Sequence, residues 1–433
     1  MGVGVHIDED MPDPECIGED LSDGAQYYDQ YTGLLLSKAG VVKARKDEIA
    51  FAKTLEAFEP RPRAEAIRKM GRPPFGTRWI DSNKGDSESP DLRSRLVVLE
   101  TRRTSTIDIE DIASVTSSTP PLEVVRLFMS LMMSLKGPKG EPLVLQFLDV
   151  SRAHPHCDVL RDDFYVEAPA EWGAPADTCL LVRKCWYGMR DAGQAFEFAV
   201  RDRFVSQGFE QGMFSPCVYK FAKDGEWFIY FIHGDDYDGL GARMLLERYK
   251  AALDTRFIIK CRGYLGGGAG CCSQIRMLIR ILTCVAGHTE NDDMLTYEAD
   301  SRHIDLLGAA YGLSQESKSR VTPWNKKEFL DRNPLAGPEL AADKCKAFRS
   351  NCMRALYLAI DRPDIQFCSK EIARSMATPT VYADETLKGM ARFLVGTPRV
   401  VWRFPRQAWP GTILGQYDAN WAACLITRKS SSA

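Results

Sequence analysis

Three aspartates that stand at the ends of apolar stretches have the residue type and spacing for chemistry. Asp149 directly follows the run Leu143 to Leu148, and Asp235-Asp236 stand two residues after the run Trp227 to Ile232. Both runs have the length and composition of buried strands. Mg²⁺ prefers hard oxygen ligands such as carboxylates, and two such ions about 4 Å apart promote in-line phosphoryl transfer. That reaction is the chemistry that these residues suit.

An Asp-Asp pair is weak evidence when it is taken alone. The chain contains two others, Asp162-Asp163 and Asp292-Asp293, in polar surroundings that a solvated turn explains. Only Asp235-Asp236 follows six consecutive apolar or aromatic residues, so only there would two like charges stand at the edge of a core. The local sequence still leaves a polar β-turn as the commoner explanation.

The elements that must position these aspartates follow from apolar periodicity. The predicted helices cover residues 41–58, 122–135, 193–209, 245–257, 301–313, 345–358 and 381–395. The predicted strands cover residues 77–80, 92–99, 143–148, 227–232 and 275–285, with a turn at 82–86 and a flexible glycine-rich connection at 263–273. This mixture fits an α+β protein without distinguishing one such fold from another.

Composition indicates an ordinary globular protein of two or three domains, since 45% of its 433 residues are hydrophobic. No apolar run approaches the ~20 residues of a membrane span, and no secretory signal is evident. We therefore expect no membrane partner and a location inside the cell, in the cytoplasm, the nucleus or both. The thirteen cysteines include no CxxC pair, so we expect reduced thiols rather than a zinc site.

The charge is unevenly distributed along the chain. The first thirty residues hold nine acidic side chains and no Lys or Arg, so a net charge of -3 leaves +6 for the remainder. Residues 61–103 contain eleven Lys or Arg against six acids. This segment is either a phosphate-facing surface or a solvated face that is balanced elsewhere, and charge alone does not decide between them.

Several short segments along the chain form a recognisable series. They are 75–79 (FGTRW), 93–97 (RSRLV), 147–154 (FLDVSRAH), 186–192 (WYGMRDA), 215–219 (SPCVY), 362–365 (RPDI), 392–397 (RFLVGT), 418–422 (DANWA) and 427–432 (TRKSSS). In this order they resemble the fingers, catalytic, nucleotide-pocket, connection and ribonuclease H-like segments of the Pol polyprotein of copia-type long-terminal-repeat retrotransposons. The resemblance to the reverse transcriptase region of that transposable element covers nearly the whole chain.

The resemblance implies roles for individual residues. Asp149, Asp235 and Asp236 would be the catalytic carboxylates and the ligands of two Mg²⁺ or Mn²⁺ ions. The nucleotide-binding residues would be Arg95, with Arg93 or Lys84, as a triphosphate clamp, together with the Val150 carbonyl, His154, Tyr187 and Gly188. Guanidinium suits a clamp because it meets phosphate oxygens bidentately. Simpler interpretations remain: Tyr187 as a core aromatic, Arg95 as a surface strand residue and Lys260, a weak candidate proton donor, as a solvated helix end.

Two departures from the family pattern bear on the site. His233-Gly234 precede the aspartates where the family has Tyr-Val, which is expected to loosen the turn. His154 replaces the aromatic residue that usually blocks the ribose 2′-hydroxyl, so sugar discrimination could be altered, although imidazole fills similar space.

The fold implied by the resemblance is a right-hand polymerase, with an α+β palm, fingers, a thumb and a helical connection. The expected domains are an acidic disordered lead-in (1–40), the reverse transcriptase fingers, palm and thumb (41–320), the connection (321–410) and a truncated ribonuclease H-like start (411–433). That last segment is too short to hold the remaining carboxylates of an active ribonuclease H. The sequence is therefore expected to be a fragment or a relic reading frame.

The function implied is RNA-directed DNA polymerisation, a nucleotidyl transfer onto the primer of an RNA or DNA template from deoxynucleoside triphosphates. The main alternative is an inactive, truncated transposon remnant that binds nucleic acid. A host interaction protein that kept only the fold is a third hypothesis, and a nuclease would leave the fingers and pocket motifs unexplained. The sequence does not specify an oligomeric state.

Overall fold

The structure is a computed structural model that describes residues 26–86, 88–101, 104–105, 107, 121, 123–278, 280–287, 293–299, 301–314, 316–325, 327, 331–412, 414–416 and 429–430. Most of the predicted acidic lead-in and the motif 418–422 lie outside these residues. The chain divides into two compact units, Met1–Pro121 with Phe147–Arg262 and Leu122–Gln146 with Gly263–Ala433. In the described part, no helix combines the length and apolarity that crossing a bilayer requires.

Helices and strands alternate along the described chain. The helices are α1 Lys38–Thr54, α2 Arg63–Met70, α3 Glu123–Ser134, α4 Ala192–Ser206, α5 Arg243–Leu253, α6 Arg302–Ala310, α7 Ala342–Ala359, α8 Pro363–Ala373 and α9 Val381–Gly396. The strands are β1 Tyr27–Tyr28, β2 Leu35–Leu36, β3 Phe58–Pro62, β4 Thr77–Asn83, β5 Leu92–Val98, β6 Leu143–Val150, β7 Tyr165–Glu167, β8 Thr178–Val182, β9 Glu210–Gln211, β10 Val218–Lys223, β11 Glu226–His233, β12 Asp236–Ala242, β13 Ile259–Leu265, β14 Gln274–Met277, β15 Arg280–Val285, β16 Met294–Glu298 and β17 Val401–Pro405.

The largest sheet has the strand order β13-β6-β12-β11-β10-β9. Strands β10, β11 and β12 form an antiparallel meander, with Tyr230 opposite both Tyr219 and Gly239. Every residue of β6 is buried except Asp149, which is half-buried. A strand that is apolar on both sides suits the middle of a covered sheet, so β6 offers one polar side chain near its end.

An aromatic cluster packs helices α4 and α5 against this sheet. The Phe204 ring of α4 lies 4.6 Å from Tyr219 and 5.4 Å from Tyr249, measured between ring centroids. Gly239 and Gly241 make room for the large rings of β11, because a Cβ on Gly239 would come within 2.9 Å of the Tyr230 ring. Rings at these separations stabilise the layer beyond their buried area. Helices α4 and α5 therefore cover one face of the sheet and pack tightly against it.

A separate two-stranded ribbon precedes the sheet in the chain. Strands β4 and β5 are antiparallel, with Ile80 opposite Arg95 and Thr77 opposite Val98. Helix α1 packs on this ribbon through Arg45, whose guanidinium donates to Asp81 at 2.6 Å. The ribbon confirms the predicted strands at 77–80 and 92–99.

The second unit combines a four-stranded sheet, in the order β14-β15-β16-β17, with a helical core. Buried residues of α6, α7, α8 and α9, among them Leu307, Phe348, Ile372 and Leu387, form one apolar cluster. Asp361, 2% exposed, accepts hydrogen bonds from Arg280 at 2.8 Å and Tyr297 at 2.6 Å. A satisfied buried carboxylate of this kind specifies one packing arrangement.

The α+β fold class is confirmed, and several details of the predicted elements are corrected. The helix predicted at 41–58 ends at Thr54, because Phe58 to Pro62 pair as a strand with β8. Gly263 to Leu265 belong to β13 and Leu265 is fully buried, so the predicted flexible connection begins later. Lys260 also lies in β13 and not at a helix end. The described cysteines are all free thiols, as expected.

Candidate functional site

The end of β6 and the β11–β12 hairpin place the three predicted carboxylates within electrostatic range of one another. The Val150 amide donates to the Asp235 carbonyl oxygen at 2.8 Å, which ties the residue after Asp149 to the hairpin turn. His233 pairs with Asp236 across the hairpin, so Gly234 and Asp235 are its two loop residues. This backbone bond therefore joins the end of β6 to the hairpin turn that carries Asp235.

The hairpin turn shows why glycine stands before the aspartates. Gly234 has φ +63°, a left-handed conformation that residues with a Cβ rarely adopt, and a side chain there would meet open space. Two-residue hairpin loops commonly require positive φ at their first position. Glycine is therefore the residue that this conformation favours, and the expectation that Gly234 loosens the turn stays a prediction.

The carboxylates repel one another electrostatically. The pKa of Asp236 is raised to about 6, chiefly by burial; Arg262 opposes this rise, and the nearby Asp235 and Asp149 carboxylates add to it. Arg262 of β13 makes an ion pair with one Asp236 oxygen, and the Asp236 side chain is 17% exposed. Three acids beside a single paired cation leave an excess of negative charge at this edge of the sheet.

The donor set fits a divalent cation in its chemistry. All three side chains are carboxylates, which are hard oxygen ligands of the kind that Mg²⁺ and Mn²⁺ take. A cation among them would relieve the repulsion that raises the pKa of Asp236. Within the described residues, no group of three acids, histidines or cysteines is already arranged to hold a metal ion. One difference from a site prepared for a metal ion is that Arg262 makes an ion pair with Asp236.

A cationic patch lies beside the carboxylates around the Tyr187 phenol. The Arg95 guanidinium carbon is 5.1 Å from the centroid of the Tyr187 ring. Burial raises the pKa of Tyr187 to about 12, and Arg95, Glu48, Arg152 and Asp235 all act on it electrostatically. The structure therefore brings the predicted Arg95 and Tyr187 together, within electrostatic range of a predicted catalytic carboxylate.

His154 packs as a neutral ring in the same patch. Its ring centroid lies 5.6 Å from that of Tyr187 and 6.5 Å from that of Phe196. Burial lowers the pKa of His154, while Asp235 raises it and Arg95 lowers it. A neutral imidazole between two aromatic rings fills space as an aromatic side chain would, in agreement with the simpler of the two interpretations of this substitution.

Gly188 allows the pocket motif to approach strand β5. It has φ +85°, and a Cβ there would stand 2.1 Å from the Val98 carbonyl oxygen, which no side chain can occupy. The Val98 amide donates to the Tyr187 carbonyl at 2.8 Å, and the Trp186 indole donates to the Leu96 carbonyl at 2.9 Å. These bonds fix Tyr187 relative to the strand that carries Arg95.

Two predicted clamp residues have other partners. Arg93 makes an ion pair with Asp91 at 3.0 Å, and the Lys84 ammonium lies 5.0 Å from the Tyr31 ring centroid. The structure therefore brings Arg95 of the predicted clamp to Tyr187, and shows Arg93 and Lys84 in contacts elsewhere on the ribbon.

Much of the basic charge in residues 61–103 is also paired. Arg63 contacts Glu167 at 2.8 Å, Lys69 contacts Asp163 at 2.8 Å, and Arg61 makes an ion pair with Glu59. These ion pairs agree with a balanced surface for this part of the segment. Arg95 differs, because it faces the Tyr187 patch.

Sequence reasoning missed three charged residues at the site: Glu48, Arg152 and Arg262. Glu48 lies among the buried residues Arg45, Ile49 and Ala52 of α1, so an acid on the apolar face was the available signal. Arg152 belongs to the segment 147–154, but the resemblance implied no role for it. Arg262 alternates with Lys260 on β13, a signal that depends on recognising the strand.

Comparison with known proteins gives a family match over part of the chain. Residues 68–266 match the family model described as reverse transcriptase (RNA-dependent DNA polymerase). The solved structure of a foamy viral protease-reverse transcriptase in complex with double-stranded DNA matches with 11% identity over 76% of this chain and a TM-score of 0.35, which is too low to support an argument. This chain spans 46% of the length of that structure. No curated protein matches the sequence. Residues 68–266 of this chain are therefore similar to a reverse transcriptase domain, of the RNA-dependent DNA polymerase class.

Proposed function

We propose that this protein is the RNA-directed DNA polymerase of a copia-type retrotransposon and extends a primer by two-metal phosphoryl transfer. The observation that carries the proposal is the convergence of Asp149, Asp235 and Asp236 inside the matched domain, fixed by the hydrogen bond from the Val150 amide to the Asp235 carbonyl at 2.8 Å.

In this proposal the three carboxylates would hold two Mg²⁺ or Mn²⁺ ions, with the Val150 carbonyl as a further oxygen ligand. When bound, such ions activate the attacking hydroxyl and neutralise charge on the leaving oxygens. Arg95 binds the triphosphate, a role that suits guanidinium because its fork meets phosphate oxygens in pairs. Tyr187 and Gly188 line the nucleotide pocket, and His154 packs beside Tyr187 where a sugar edge would be read.

The partners in this proposal are a template-primer duplex of RNA or DNA and the deoxynucleoside triphosphates. The protein would grip the duplex mainly through its phosphates, so binding would weaken steeply with salt. The same proposal includes the domain boundaries expected at residues 40, 320 and 410. It also includes the expected location inside the cell.

One observation favours a second candidate, a remnant that binds nucleic acid without catalysis. Arg262 already makes an ion pair with Asp236, and the described residues show no ready metal group. A protein whose arginine has permanently replaced the cation would keep the fold and lose the reaction. In the active enzyme, a divalent ion would instead displace Arg262 from Asp236.

The test is dTTP incorporation on an RNA template with a DNA primer, in Mg²⁺ or Mn²⁺. We expect extension by the parent protein and its loss in Asp235→Asn. Asp162→Asn is the matched control, because Asp162 belongs to an exposed Asp-Asp pair outside the site. Template-dependent extension that survives Asp235→Asn would contradict the proposal. A folded parent that binds the duplex without extending the primer would favour the remnant.

A further inference from the structure

We propose that Arg152, held in place by Glu48 of helix α1, is a second triphosphate-binding cation beside Arg95. This inference rests on the proposed function and adds to it a positioning residue, Glu48, from outside the matched residues 68–266. Glu48 is a buried acid, and Arg152 has a strained backbone conformation.

The backbone of Arg152 is strained and firmly held. Its φ is +52°, a left-handed conformation that is unfavourable for any residue with a Cβ. The preceding residues are fixed on both sides, since the Val150 amide donates to Asp235 and the Ser151 amide donates to the Ile258 carbonyl at 2.8 Å. Strain that the surrounding structure maintains is characteristic of functional sites. The strained turn directs the Arg152 side chain toward helix α1.

Glu48 anchors the Arg152 guanidinium. The Glu48 side chain is 3% exposed, and one of its oxygens lies 3.2 Å from the guanidinium of Arg152, which is 41% exposed. The same guanidinium carbon lies 4.0 Å from the Phe51 ring centroid, one helical turn along α1. A buried acid and an aromatic face therefore orient a cation whose outer part remains open to solvent.

Two guanidinium groups lie near one buried acid. Arg152 contacts Glu48, and both Arg152 and Arg95 act electrostatically on Glu48 and on Tyr187. The Asp235 carboxylate also acts on Tyr187, which places the patch beside the candidate metal site. A triphosphate carries several negative charges and would meet both arginines while it approaches the carboxylate edge.

The decisive variant is Arg152→Gly, because glycine accepts φ +52° without strain and removes only the side chain. Arg201→Gly is the control for loss of an arginine. Like Arg152, Arg201 lies near an aromatic ring, 5.1 Å from Phe198, and contacts an acid, Asp202, at 3.1 Å. It is 45% exposed and belongs to α4. Melting temperature and circular dichroism establish that each variant is folded, and Arg152→Lys provides a second variant that keeps the charge.

Two measurements separate a binding role from a structural one. Steady-state extension gives KM for dTTP and kcat, and calorimetric titration with inorganic tripolyphosphate gives binding without catalysis. We expect Arg152→Gly to raise KM and weaken tripolyphosphate binding by about tenfold, the value of a charge-assisted hydrogen bond, with kcat within about twofold of the parent. Arg152→Lys should recover part of the loss. Glu48→Gln should raise KM less than Arg152→Gly does. The double variant should have nearly the same KM as Arg152→Gly alone.

The outcomes distinguish this inference from the proposed function. If Arg152→Gly and Arg152→Lys keep the parent's KM and tripolyphosphate affinity while the parent extends primers, Arg152 has no binding role and the inference is overturned. If the parent extends no primer yet binds tripolyphosphate through Arg152, the polymerase proposal fails and the phosphate site remains.

Discussion

Two charged clusters in the same unit are built on opposite principles. Around Arg45, Asp81 accepts at 2.6 Å and Glu171 at 2.7 Å, while the Ser94 hydroxyl and the Trp79 indole donate to the same acids at 2.6 and 2.9 Å. At the end of β6, by contrast, three acids stand near one another with Arg262 on a single oxygen.

The two clusters differ in whether their buried charges are balanced by the protein itself. The Arg45 cluster satisfies its own hydrogen bonds and needs nothing further, so it serves to attach α1 to the ribbon. At the end of β6, the repulsion among the carboxylates lowers the stability of the folded protein. Unbalanced charge of this kind is characteristic of sites that bind a cation. Variants of the two clusters should therefore shift stability in opposite directions.

The largest effect is expected from Arg45→Met, which removes the cation between two buried acids. Asp81 and Glu171 would be left buried and unpaired, so the free energy of unfolding should fall by about 3–5 kcal/mol. Urea denaturation followed by tryptophan fluorescence measures it. Arg248→Met is the control, because Arg248 is 61% exposed in its ion pair with Glu226 and its loss should cost less than about 1 kcal/mol. Equal losses for both arginines would contradict the contrast.

The next effect has the opposite sign. Asp236→Asn removes a charge that the fold disfavours, since the pKa of Asp236 is raised from 3.8 to about 6. At pH 7.5 with a chelator present, the free energy of unfolding should rise by about 3 kcal/mol, because the pKa rises by about two units and each unit corresponds to about 1.4 kcal/mol. The same denaturation experiment checks it beside Asp162→Asn, for which no change is expected. A clear loss of stability would mean that the Arg262 ion pair outweighs the repulsion.

Metal addition gives a smaller shift and tests the same site without a variant. Mg²⁺ or Mn²⁺ at ten times its dissociation constant should stabilise the parent by about 1.4 kcal/mol and raise its melting temperature. Asp149→Asn/Asp235→Asn should lose this response and keep its fold. A response of equal size in that double variant would place the cation elsewhere.

The smallest effect concerns pH and Asp29, which ties β1 to the ribbon. The Asn83 amide donates to its carboxylate at 2.7 Å, and hydrogen bonds from Asn83 and Thr32 lower the pKa of Asp29 to about 2. A carboxyl with a lowered folded pKa stabilises the protein above pH about 4 and loses that contribution as the pH falls toward 2. Asp29→Asn should therefore melt below the parent at pH 6, and the difference should shrink by pH 3. A difference that is independent of pH would exclude the carboxylate's charge as its origin.

The sequence predicted local features with strong periodicity and missed those that depend on partners. The helices near 123–134 and 381–396, the strand β6 that carries Asp149 and the strand β11 that precedes Asp235 follow from their own apolar patterns. Strand β3 did not, because Pro60 and Pro62 argue against a strand until β8 supplies the pairing. The left-handed conformation of Gly234 was also not predicted, since φ is not visible in a residue name.

By itself, the sequence determined which carboxylates end buried strands and in what order the motifs follow, because apolar runs and residue identities are local properties. Tertiary structure decided that Arg95 would reach Tyr187 while Arg93 and Lys84 contact other residues, and that Arg262 would pair with Asp236. It also placed Glu48 against Arg152, 104 positions later in the chain. Such contacts join distant residues, and their electrostatic energy depends on separation and burial that only the packed chain fixes.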